Sequence, residues 1–159
     1  LGLMPVHKFA VIEMGASRPG DIAYLANLAR PDIAVVLNAQ EAHLEGFGSL
    51  DGVARTKGEI YQALPSEGVG IVNADSNYLP LWMDFLQRRR VISFGRSISA
   101  DVRASDVCNN GALGCSFTLH CGDDTSAVNL SLPGEHNIDN ALAACAAALA
   151  VGEIGRAHV

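Results

Sequence analysis

No apolar run in this chain approaches the roughly 20 residues needed to cross a bilayer, and no basic-then-apolar leader opens it. Cysteine is scarce. Cys108, Cys115, Cys121 and Cys145 form no C-x-x-C pair, which argues against a zinc cluster and reads as reduced thiols in a cytosolic protein. Positive charge is scarce too: 11 Lys and Arg stand against 17 Asp and Glu, for a net charge of -6. With a pI near 5.2, that balance points away from a nucleic-acid partner, as the lack of a long apolar run does from membrane insertion. The phosphate-binding string G-x-x-x-x-G-K-[ST] is absent, as is the G-x-S-x-G elbow of serine hydrolases. Gly111-Ala112-Leu113-Gly114 lacks the lysine and reads as a turn.

What is present is enough for one folded domain. The 159 residues are 49% hydrophobic, and mean hydropathy is +0.21, above the range of disordered chains. Short apolar runs alternate with helical patterns. Phe9–Met14 reads as a first strand, buried on both faces, with Glu13 near its carboxyl end. Ser17 to Ala29 reads as a turn and helix with Ile22, Leu25, Ala26 and Ala29 on one face. Ile33–Leu37, Gly68–Val72 and Val91–Phe94 read as further strands, and Pro80–Gln87 as a helix. Arg88-Arg89-Arg90 suits a helix carboxyl end, where cations complement the dipole. Beyond Asp101 the pattern shifts to a small antiparallel meander of three strands, turning at Asn110-Gly111 and Gly122-Asp123. An alanine-rich helix from Asn137 closes the domain.

The expected architecture is therefore α/β: a mostly parallel sheet flanked by helices, with a small antiparallel meander. In such sheets ligands gather beyond the carboxyl ends of the strands. Glu13, Asn38, Asn73 and Asp75 fall at or near those ends, and the loop carrying His43 leaves from the same edge.

The most informative stretch is NAQEAHLEGFGSLDGVARTKGEIYQAL, from Asn38 to Leu64. A helix opens at Ser49, with Leu50, Val53, Ala54, Ile60, Tyr61 and Leu64 on an apolar stripe. Lys57 falls within that stripe, where an ammonium loses hydration. Either its head snorkels to the surface, or it points into a polar pocket that His43 also reaches. A carboxylate, an imidazole and a lysine at one edge suit a divalent cation and a phosphate. A lysine cannot bind metal as an ammonium, but it can as a carbamate, formed by its neutral amine with CO₂. His7 and His120 read as ordinary surface histidines, and Asn137 as a helix N-cap.

The strings VIEMGA (11–16), AHLEGFGSLDGVARTKGEIY (42–61), VNAD (72–75) and LPGEHNIDNALAA (132–144) together resemble the central, P-loop NTPase-like domain of the Mur ligases. The HLEGFGS and KGEIY strings favour the member that adds D-alanyl-D-alanine to UDP-N-acetylmuramoyl-tripeptide. The resemblance implies an ATP-dependent C–N ligase of peptidoglycan biosynthesis in the cytoplasm. Its substrate carboxylate attacks the γ-phosphate of ATP to give an acyl phosphate, which the amine then attacks. It implies two Mg²⁺ ions, the first on Glu13 and the second on His43 and carbamylated Lys57. Asn137, His136 and Asn140 would meet the adenine end of ATP, with Asn38 and Asp75 in supporting roles. Another Mur or folylpolyglutamate-type ligase, or a non-catalytic nucleotide-binding module, shares this plan.

The family's phosphate loop precedes the strand holding Glu13, and its amino- and carboxyl-terminal domains flank the central one. None of these is in the sequence. The chain is therefore expected to be a fragment truncated at both ends, inactive alone, with an exposed sheet edge or apolar face. The domain is taken as residues 1–152. The closing EIGRAHV, from Glu153 to Val159, matches the translation of a common sequencing adapter and is expected to be foreign, unless it is a genuine short tail.

Overall fold

A computed structural model describes residues 2, 4–40 and 47–152. His43 and the closing tail lie outside the described residues. The elements run α1 (Asp21–Ala29), β1 (Ile33–Val36), α2 (Leu50–Gln62), β2 (Val69–Asn73), α3 (Leu79–Leu86), β3 (Arg90–Gly95), β4 (Val102–Asn109), β5 (Cys115–Cys121), β6 (Asp124–Leu130) and α4 (His136–Ala150).

The six strands form one sheet in the order β1-β2-β3-β4-β5-β6. The pairs β1–β2, β2–β3 and β3–β4 are parallel, and β4–β5 and β5–β6 are antiparallel. The meander is thus continuous with the parallel sheet, because β4 is shared by both halves.

The period-two alternation of strand side chains separates two cores. Ile71, Ile92, Phe94, Val102 and Phe117 face α4, where Ile138, Leu142 and Ala146 bury against them. Ala34, Val36 and Val72 face the other way, onto Tyr61 and Leu64 from the α2 side and Trp82 and Leu86 of α3. Gly70 lets α3 approach β2: a Cβ there would lie 2.1 Å from Leu86 Cδ2. Arg89 closes the α2–α3 pair by donating to the carbonyl of Leu64 (2.8 Å) and, at longer range, to those of Phe85 and Leu86. The expected cation at a helix carboxyl end is there, while Arg90 already belongs to β3.

One expected element is missing. Phe9–Met14 joins no ladder among the described residues, and Phe9, Val11 and Ile12 are exposed. The reason is pairing. β1 is an open edge of the described sheet, but Phe9–Met14 forms no ladder with it, and an apolar run outside the ladder stays out of the core. Asn137 is corrected as well. It occupies the first turn of α4 rather than its cap, which is Glu135, and no side chain caps that end.

Candidate functional site

The carboxyl ends of β1, β2 and β3 form one rim, and side chains there are tied together in sequence. Ser49 caps α2 as its position predicts, accepting from the Gly52 amide at 3.1 Å. The helix then presents Lys57 towards the end of β1. Its Nζ donates to the Asn38 carbonyl at 2.9 Å. The side chain is half-buried, and burial pulls its pKa below the usual lysine value. Desolvation penalises the ammonium, so it favours the neutral amine. Its amine is bonded to a rim carbonyl, with about half of the side chain covered.

A cleft of about 270 Å³ opens beside it, bounded by Ile12, Glu13, Met14, Asn38, Lys57 and Ile60. Glu13 therefore reaches the same cleft as Lys57 although its segment is not a strand. The hard oxygen donors that could suit a dication such as Mg²⁺ are the carboxylate of Glu13 and the side-chain amide oxygen of Asn38, since the Asn38 main-chain carbonyl already accepts from Lys57. His43 lies outside the described residues, so the trio is placed at two of its three members. Among the described residues no three His, Cys, Asp or Glu side chains cluster as a metal site.

Along the rim, Asn73 Nδ2 donates to the Leu37 carbonyl at 3.0 Å, and its Oδ1 accepts from the Asp75 amide at 2.9 Å. The Asp75 carboxylate accepts from the backbone amides of Arg96 (2.5 Å) and Ser97 (3.0 Å). This close approach requires Gly95, where a Cβ would stand 2.6 Å from Asp75 Oδ2. Arg96 in turn reaches the first turn of α4. It bonds Glu135 Oε2 at 2.6 Å and the Glu135 carbonyl at 3.2 Å, and Asp139 Oδ1 lies 3.5 Å from its Nε. Asn137 and Asn140 sit on that turn, with Asn137 Nδ2 on the Pro133 carbonyl at 2.8 Å and Asn140 Nδ2 on Asn137 Oδ1 at 3.3 Å. His136 is exposed beside them.

Two contributors escape the sequence pattern. Arg96 bonds a residue 39 positions away, and no local spacing signals that. Glu59 falls outside the apolar stripe of α2, yet its carboxylate accepts from the amides of Gly20 (2.9 Å) and Ala23 (3.0 Å) and so caps α1 from another helix.

His120 departs from its expected surface role. It is half-buried, with Arg103 Nη2 at 3.1 Å from Nδ1 and Ser105 Oγ at 2.8 Å from Nε2. A guanidinium only donates, so Nδ1 accepts and Nε2 carries the proton. Ser105 passes its own proton to Asp106 Oδ2 at 2.8 Å. That polarity leaves Nε2 no lone pair for the serine proton, so the pair is structural and not a nucleophile with its base.

No helix among the described residues is long and apolar enough to cross a membrane.

Comparison with known proteins agrees with this layout. The UDP-N-acetylmuramoyl-tripeptide–D-alanyl-D-alanine ligase of Escherichia coli (strain K12) is 44% identical over 153 residues, which cover 96% of this chain and 34% of that protein. A crystal structure of MurF from Acinetobacter baumannii superposes with a TM-score of 0.89 at 36% identity, over 94% of this chain and 32% of that one. MurF ligase from Thermotoga maritima, in complex with ADP, gives 0.77 at 31% identity, over 89% and 32%. The chain thus spans about a third of the length of the relatives it matches. The model of the Mur ligase middle domain matches residues 3–148, and with the rim and the mixed six-stranded sheet in place, the chain belongs to the Mur ligase family.

Proposed function

We propose that this chain is the nucleotide-handling middle segment of an ATP-dependent ligase that joins D-alanyl-D-alanine to UDP-N-acetylmuramoyl-tripeptide. The observation that carries the reading is the placement of Lys57, a half-buried amine facing the Glu13 cleft at the carboxyl rim of the sheet. In the reaction a carboxylate oxygen of the tripeptide attacks the γ-phosphorus and ADP leaves. The amine of D-alanyl-D-alanine then attacks the acyl carbon and phosphate leaves, its proton passing to solvent. The residues that would hold the two Mg²⁺ ions are Glu13 for the first, and His43 with Lys57, as its carbamate, for the second. Bound there, the ions would stabilise charge on the transferring phosphoryl group. Half-burial of Lys57 supports the carbamate, since only the free amine takes up CO₂. Asn137, His136 and Asn140 would line the adenine end, and Asn38 and Asp75 fix the rim between the two ends. The rest of the ligase supplies the UDP-sugar grip, the phosphate loop and the closing domain. Free thiols and the proposed ATP use support a cytoplasmic enzyme of peptidoglycan synthesis.

A full-length hybrid tests this. Residues 5–152 of this chain replace the matching stretch of the E. coli relative. The expected result is ATP-dependent ligation of D-alanyl-D-alanine and none of single amino acids. A folded hybrid that uses a single amino acid instead would favour another Mur or folylpolyglutamate-type ligase, and one without turnover would favour a binding module. The isolated chain is expected to show no ligation, and turnover by it alone would overturn the fragment reading.

A further inference from the structure

The rim described above is a continuous strap. It runs from Lys57 through the carbonyls of Asn38 and Leu37 past the end of β1, through Asn73 at the end of β2 and Asp75 beyond it, to Arg96 after β3, and ends on Glu135, the N-cap of α4, and Asp139 in its first turn. From β1 to β3 it spans two strand spacings, about 10 Å. We propose that Arg96, held by Asp75, is a positioning residue that fixes the first turn of α4, and with it Asn137, relative to the Lys57 end of the nucleotide site. This rests on the ligase reading given above.

Three features point to Arg96 and not to general packing. The amino end of α4 has no capping side chain, so its first turn is held to the sheet by the burial of Ile138 and by no polar contact from its own cap. Arg96 supplies that contact with a planar fork, touching both the side chain and the carbonyl of Glu135. Its own backbone is anchored, because Asp75 takes the amides of Arg96 and Ser97 together. Yet the guanidinium is only partly covered, with 36% of the side chain exposed. Exposed pairs add little to global stability. The arrangement therefore sets position more than it holds the fold together. Lysine would keep the charge but lose the fork.

Two measurements test it. In the chain itself, hydrogen exchange is followed at the amides of Ile138, Asp139 and Asn140 in Arg96→Ala and Asp75→Ala. Each variant should speed exchange there roughly tenfold through local opening, leave the amides of β2 unchanged and barely move the melting temperature. The double variant should add nothing, since both residues act through one contact. In the hybrid ligase, Arg96→Ala should raise KM for ATP roughly tenfold with kcat nearly unchanged, and Arg96→Lys should restore part of it. KM for D-alanyl-D-alanine should stay fixed. Exchange that is unchanged in α4, or faster throughout the sheet, overturns the strap. Equal increases in KM for both substrates overturn the positioning role. A wild-type hybrid that folds without ligating sinks the ligase reading instead, and the exchange result still decides whether Arg96 fixes the helix.

Discussion

Lys57 Nζ lies 2.9 Å from the Asn38 carbonyl oxygen, and that one bond ties α2 to the carboxyl end of β1. Burial there lowers the lysine pKa from its usual 10.5. The unfolded chain therefore binds more protons than the fold between the lowered value and 10.5. Stability must rise with pH across that window, and the penalty is fully present below it. Lys57→Met removes the titration. Urea midpoints from neutral pH to 10.5 should show the wild-type chain gaining on the variant as pH rises. A difference that does not change with pH would contradict the buried-amine account.

Tyr61 stitches β1 and β2 from the helix side. Its hydroxyl donates to the Ile71 carbonyl at 2.7 Å and accepts from the Val36 amide at 3.2 Å, and burial pushes its pKa well up. Tyr61→Phe removes both of these bonds to buried backbone groups. A loss of about 1–3 kcal/mol is expected from the unsatisfied groups, read as a shift in the urea midpoint at constant m-value. A neutral substitution would mean that water replaces the hydroxyl.

Glu59 should matter to α1 more than to its own helix. Its two charge-assisted bonds to the amides of Gly20 and Ala23 stand in for the side-chain cap that Gly20 lacks. Glu59→Ala is expected to destabilise by about 1–2 kcal/mol, the scale of a lost cap at a helix amino end. Glu59→Gln should lose less, because an amide oxygen still accepts. Amide exchange confined to α1 would locate the effect.

The parallel half of the sheet was legible because apolar runs and helical stripes report burial directly: Ile33–Val36, Val69–Asn73 and the Ser49-capped helix stand where their patterns put them. Phe9–Met14 misled for the same reason. Its pattern reports what could be buried, and burial needs a ladder, which this segment does not form with the open edge at β1. Asn38, Asn73 and Asp75 were visible as polar residues at strand ends. Arg96 and Glu59 were not, because each bonds a segment more than 30 residues away, and side-chain direction across such distances leaves no trace in local spacing. His120 was misread because its partner Arg103, 17 residues away, is brought beside it only by the pairing of two strands.

On the proposed ligase reading, the Glu13–Lys57 cleft is the metal and phosphate end of the site. The most direct measurement is the Mg²⁺ dependence of D-alanyl-D-alanine ligation by the hybrid enzyme carrying Glu13→Gln or Lys57→Met. Turnover should fall by at least about 100-fold in each, the scale of removing charge stabilisation from the transferring group. For Glu13→Gln, the Mg²⁺ needed for half-maximal rate should rise. Both variants turning over at the wild-type rate with unchanged Mg²⁺ dependence would contradict it.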